Sequence, residues 1–93
     1  MIVLIKSSPE TPDCKRGITL ARDMAADLVF LQNGIYAACG THLDDFCGAV
    51  SILQEDCRLR GIHDGDVKSG VKQLDYDALV DLLAGEDKIV GLF

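Results

Sequence analysis

A chain of 93 residues holds one domain, near the low end for a self-sufficient core. It is 48% hydrophobic and 26% charged, which excludes a disordered chain and fits a globular one. Fifteen acidic residues against nine basic ones give a net charge of −6, and the longest basic run is the pair Lys15-Arg16, so nucleic acid is excluded as a direct partner. Aromatic residues make up only 5%, with no Trp, leaving a core of Leu, Ile, Val and Ala that suits a parallel sheet under helices. Met1–Ile5 is apolar, but too short for a secretory signal and without a basic leader. No run approaches a membrane span. The four cysteines sit in or beside well-patterned elements, which points to reduced thiols in a cytoplasmic protein and not to a disulfide framework.

Met1 to Lys6 reads as a buried first strand. Thr11 is a helix N-cap with Pro12 in the first turn, and the helix carries Cys14, Ile18, Ala21 and Ala25 on one face as far as Ala26. Leu28 to Leu31 is a second strand, broken by Asn33-Gly34, and Ile35 to Ala38 opens a short helix or turn. Thr41 is a candidate cap for a helical turn over Leu43 to Cys47. Ala49 to Leu53 is the third strand. Glu55-Asp56 starts a helix where the dipole favours negative charge, Asp56 and Arg60 can pair along it, and Gly61 stops it. Asp64-Gly65-Asp66 is a polar loop, and Val71 to Leu74 a short fourth strand. Asp75 caps a fourth helix with Tyr76, Leu79, Val80 and Leu83, closed by Gly85. Lys88 to Phe93 is the last strand. Acidity collects late, at Asp75, Asp77, Asp81, Glu86 and Asp87, as on a solvated helix face. Alternating strands and helices predict a single α/β domain over 1–93: a mostly parallel five-stranded sheet with helices on both faces.

In such sheets function gathers at the carboxyl ends of the strands. Cys14, Cys39 and Cys57 each follow a strand and are expected at that edge, whereas Cys47 precedes one, belongs at the opposite edge and reads as core. Lys15 and Arg16 beside Cys14, at a helix start, favour its thiolate; Cys57 has Arg58 and Arg60 but is opposed by Glu55 and Asp56. Cys14 therefore ranks above Cys57 as a reactive thiol, with core packing the competing reading for both. Cys39, His42 and Cys47 have partial zinc spacing with no second close pair, so no metal site is assigned, and His42 and His63 read as solvent-facing. Asp44-Asp45 and Asp64/Asp66 read as solvated turns. There is no C-x-x-C, Walker or dinucleotide fingerprint, so no cofactor is assigned.

Gln32-Asn33-Gly34-Ile35-Tyr36-Ala37-Ala38, Asp56 with Arg60-Gly61, and Leu74-Asp75-Tyr76 with Leu79-Val80-Asp81-Leu82, after Lys6-Ser7-Ser8-Pro9, resemble in order the DsrH/TusB family of the DsrE/DsrF/DsrH sulfur-relay group. The resemblance implies a flavodoxin-like layout. It also implies a cytoplasmic complex with DsrE-like and DsrF-like subunits, passing persulfide between sulfur donor and acceptor proteins. The pathway would be tRNA thiouridine synthesis or dissimilatory sulfur oxidation. The first-helix cysteine of DsrH proteins falls here on Ile18 and the DsrE-type cysteine on Leu53, so neither family position is a cysteine. A structural and a sulfur-carrying role both stay open, with Cys14 and Cys57 the thiol candidates and Tyr36, Asp56 and Arg60 assigned to shaping the edge or an interface. The alternative is a non-catalytic, self-associating interaction module of the same fold.

Overall fold

A computed structural model describes residues 1–40 and 42–92. Thr41, the candidate cap, and Phe93, the expected end of the last strand, lie outside the described residues, as do the side chains of Asp64 and Leu92. Strands β1 (Ile2–Ile5), β2 (Asp27–Phe30), β3 (Val50–Leu53), β4 (Lys72–Leu74) and β5 (Ile89–Leu92) form one sheet in the order β4-β3-β2-β1-β5, every pairing parallel. The expected layering is present, with this order of strands. The α-helices are α1 (Pro12–Asp23), α2 (Gln54–Leu59) and α3 (Tyr76–Ala84), while 3-10 helices occupy Gln32–Cys39 and Asp64–Asp66. The segment over Leu43 to Cys47 is a hydrogen-bonded turn ending at Asp45 and not a helical turn, with Phe46 N–H donating to the Leu43 carbonyl.

Local chemistry sets the helix ends. Thr11 caps α1, its hydroxyl accepting from the Cys14 N–H at 3.2 Å, and Pro12 fills the first turn where its missing donor costs nothing. α1 stops at Asp23, three residues before the expected Ala26, because Ala25 turns left-handed at φ 52° to enter β2. Gly61, at φ 67°, closes α2 as the Ile62 N–H reaches back to the Cys57 carbonyl. Asp75 caps α3 through the Ala78 N–H at 2.7 Å.

Alternation along the strands divides the core in two. Val3, Ile5, Leu28, Phe30, Val50 and Ile52 point to a front face packed by α1, the 3-10 segment and α2. Ile2, Val29 and Leu53 point to a back face where, among the described residues, α3 alone supplies helical cover through Leu79, Leu82 and Leu83. Each of the steps β1→β2→β3→β4 moves the same way across the sheet, so right-handed crossovers place their connections in front. The step β4→β5 moves back across the sheet and puts α3 behind. Both faces are helix-covered, as expected, but unequally.

Candidate functional site

The chain leaves β2 at the carboxyl edge through an unusual turn. Gln32 stands at φ 50°, a left-handed conformation that disfavours a residue with a Cβ. Two contacts hold it there. Its N–H donates to Asp56 Oδ2 at 2.6 Å, across 24 residues of sequence. The residues on either side are tied to the end of β1, with the Leu31 N–H on the Ile5 carbonyl at 2.9 Å and the Gly34 N–H on the Lys6 carbonyl at 3.0 Å. Gly34 passes so close to β1 that a Cβ there would lie 2.4 Å from the Ile5 carbonyl oxygen.

Asp56, at the start of α2, is buried but not isolated. Its Oδ1 lies 3.6 Å from Arg60 Nη1, the helical pair foreseen in the sequence, and Arg60 also reaches the Asn33 side-chain oxygen through Nε at 3.2 Å. Asp56, Arg60, Asn33, Gln32 and Gly34 thus make one clamp joining β1, the segment after β2 and α2. The sequence singled out Asp56 and Arg60. Asn33 entered as a strand break and, with Gln32, as part of a motif, because contacts across 24 and 27 residues are set by strand register and leave no local pattern. Tyr36 follows the clamp and is 41% exposed, on the outside of its segment and not in the core.

The cysteines depart from several expectations. Cys14 is fully buried at 0% exposure, in one cluster with Ile18 and Ala21. Burial pushes its thiol up from 9.0 to about 11, and the Glu10 carboxylate adds to the rise. The helix phase that turns Cys14 inward turns Lys15 and Arg16 outward. The thiolate-favouring setting expected from its sequence neighbours is therefore absent. Cys57 is also buried, at 3% exposure, but it lines a cleft of about 420 Å³ with Gln54, Arg58, Ile62, His63 and Gln73. That cleft adjoins the boundary between β3, whose helix lies in front, and β4, whose helix lies behind, which is where open α/β sheets accept ligands. Cys39 closes an eight-residue 3-10 helix, whose rise of about 2 Å per residue carries it away from the edge where it was expected. Its Sγ meets the Ile35 carbonyl at 3.6 Å, and its thiol is raised by burial and then by Asp66. Cys47 lies at the opposite edge as expected, but it is exposed and not core, because its segment is a loop with no apolar face to bury it.

The remaining candidates sit in loops. His42 and His63 are exposed. Asp44 lies 3.8 Å from Lys68, and Asp66 accepts the His63 N–H at 3.0 Å. Among the described residues no group of three or more His, Cys, Asp or Glu side chains is placed to hold a metal ion. No described helix is long and apolar enough to cross a membrane.

The fold and edge define a small α/β domain with an all-parallel sheet, a clamped carboxyl edge and a cleft beside it lined by Cys57. Residues 6–89 match the DsrH-like protein family, and the chain belongs to it. Membership supports a subunit of the sulfur-relay type in general. No curated protein sequence matches the chain. Among solved structures it resembles the YchN protein of E. coli, with a TM-score of 0.72, 15% identity and 97% of each chain covered. It also resembles protein Tm0979 of Thermotoga maritima, with a TM-score of 0.71, 28% identity, and 95% of this chain and 97% of that one covered. The first of these bears on fold alone.

Proposed function

We propose that this chain is a structural subunit of a cytoplasmic persulfide-relay complex, assembled with DsrE-like and DsrF-like chains and serving tRNA thiouridine synthesis or dissimilatory sulfur oxidation. The family match supports the relay. The observation that carries the structural role is the burial of both candidate carriers, Cys14 and Cys57. A sulfur carrier must be reached by a partner's persulfide, and a buried thiol lacks that access; for Cys14 burial also opposes the ionisation that exchange requires. The clamp of Asp56, Arg60 and Asn33 supports the same role, since its contacts join the segment after β2 to α2. Under this reading Tyr36 offers contact area at the edge.

The test is intact-mass spectrometry of the reduced protein after exposure to a cysteine desulfurase and cysteine, alone and with the DsrE-like and DsrF-like chains, with single Cys→Ser variants in parallel. The expected result is a complex in which a partner gains sulfur while Cys14 and Cys57 gain none. A gain of one sulfur lost only in Cys57→Ser would overturn the structural assignment and make the cleft between Arg58 and His63 the carrier site. Failure to assemble with either partner would overturn the relay reading itself.

A further inference from the structure

The back of the sheet is less covered than the front. Five strands spaced about 4.8 Å apart make a surface some 19 Å wide, and a helix with its side chains is about 10 Å across. α3 therefore shields about half of it. Beside α3 a groove of about 460 Å³ stays open, lined by Val29, Ser51, Lys72, Leu74, Ala78 and Asp81. Ile89, which the register places on the same face as buried Ile2, is left exposed on the other side.

The outer surface of α3 continues this opening. At 100° per residue, Tyr76, Val80, Ala84, Asp77 and Asp81 follow one another around the solvent side of the helix, and Asp81 reaches the groove. Two of these are large apolar side chains with no neighbour to hide them, Tyr76 at 58% exposure and Val80 at 63%. The polar ones are all acidic. From Asp75 to Asp87 the chain holds five carboxylates and no Lys or Arg. Asp75 is occupied in capping α3 and Glu86 meets the Met1 ammonium at 3.3 Å, but the carboxylates of Asp77 and Asp81 have no ion pair or hydrogen bond among the described residues.

We propose that the outer face of α3 with the adjoining groove is the surface by which this chain docks a partner protein, and that the partner presents an apolar ridge bordered by Lys or Arg. The proposal rests on the reading of the chain as a complex subunit and names the face and the chemistry of its neighbour. Charge selects the occupant. A second copy of this chain would bring the same carboxylates against themselves on a molecule already at −6, and like charges across an interface oppose docking. A basic-rimmed partner covers Tyr76 and Val80 while pairing Asp77 and Asp81. Lys72 is the one basic residue in the groove lining, against Asp27 and Asp81.

The experiment uses the full chain with DsrE-like and DsrF-like chains. Affinity is measured by titration calorimetry at two salt concentrations, and zero-length carbodiimide coupling of the complex is mapped by mass spectrometry. Coupling of Asp77 and Asp81 to partner lysines is expected. So is a loss of about tenfold or more in affinity for Val80→Glu and for the double variant Asp77→Lys/Asp81→Lys. Leu59→Glu, which alters an equally exposed apolar side chain on α2 at the front, is expected to leave affinity unchanged. Unaltered thermal unfolding shows that each variant is folded. A complex indifferent to the α3 variants, or weakened only by Leu59→Glu, would overturn the docking surface and leave the subunit reading standing. A homodimer of the chain alone that Val80→Glu dissociates would overturn the charge argument. No complex with either partner would overturn both readings together.

Discussion

Replacing Gly34 by Ala is the sharpest test of how the carboxyl edge is held. The added Cβ would lie 2.4 Å from the Ile5 carbonyl oxygen and 3.1 Å from its carbon, where real Cβ atoms essentially never come within 3.0 Å. The opposing atoms are backbone of β1, which runs between β2 and β5 and cannot give way. The segment after β2 must therefore withdraw by at least about 0.6 Å. Withdrawal strains the Gly34 N–H bond to the Lys6 carbonyl and the Leu31 N–H bond to the Ile5 carbonyl, each with a net worth of about 1 kcal/mol. It also shifts fully buried Ile35, and overpacking of this kind costs about 1–3 kcal/mol. The expected loss is about 2–4 kcal/mol, or a melting temperature lower by roughly 10–25 °C in a domain of this size. Urea unfolding followed by circular dichroism measures it as a lower midpoint at unchanged slope. Gly65→Ala is the control, since nothing lies within 4 Å of its Cβ position, and a change within about 0.5 kcal/mol is expected. If Gly34→Ala is as stable as Gly65→Ala, the close approach to β1 does not constrain the edge and the structural account of the motif around it fails.

Three further results are expected. Asp56→Ala leaves the Gln32 N–H and the Arg60 guanidinium without their shared carboxylate, at a cost of about 2–3 kcal/mol, while Arg60→Ala costs about 1 kcal/mol. The two are coupled in a double-mutant cycle, and additive losses in urea unfolding would contradict the clamp. Among the thiols, Cys47 reacts with a maleimide in the folded protein and Cys14 only on unfolding; equal rates would contradict the burial of Cys14. The same burial has a pH signature. A folded-state value of about 11 against 9.0 means that the neutral thiol stabilises the fold in full below pH 9, and that this contribution is lost as pH rises from 9 through 11, because the unfolded thiol ionises first. Cys14→Ala flattens that part of the alkaline decline in urea stability, and an unchanged slope would count against it.

The elements were legible where local chemistry alone decides them. Continuous apolar runs marked the strands, and Thr11-Pro12, Asp75 and Gly61 marked helix ends through their own hydrogen-bonding capacity and dihedral freedom. The site was legible only in part. Asp56 and Arg60 are one turn apart on a helix, and spacing shows that. Their partners Gln32 and Asn33 are joined to them by the parallel register of β2 and β3, which no spacing encodes. For Cys14 the charges of Lys15 and Arg16 were weighed by sequence distance, and the helix turned them to the other side. The apolar phase it shares with Ile18 and Ala21 was the better guide. Cys47 went the other way: Thr41 as a cap suggested a helical turn over Leu43 to Cys47, with Cys47 in the core, and the chain formed a turn and loop that leave Cys47 exposed.

The unequal cover of the sheet is a consequence of its connectivity. Three successive right-handed steps from β1 to β4 leave everything that joins them in front, and only the long return to β5 crosses behind. Among the described helices, the chain covers the back with α3 alone. It meets the shortage in two ways. Toward β4 the back-facing residues become Ser51 and Lys72, which tolerate water. Along α3 and at Ile89 they stay apolar, with Tyr76 and Val80 on the outer turns. A helix with nothing to meet would gain by replacing those with Lys or Glu, as the solvent side of α1 does with Lys15, Arg16 and Arg22. Large apolar side chains kept on a helix whose outward polar residues are acidic are a cost to the isolated chain. Burial against a neighbour recovers that cost, and a neighbour that brings lysines or arginines recovers it best.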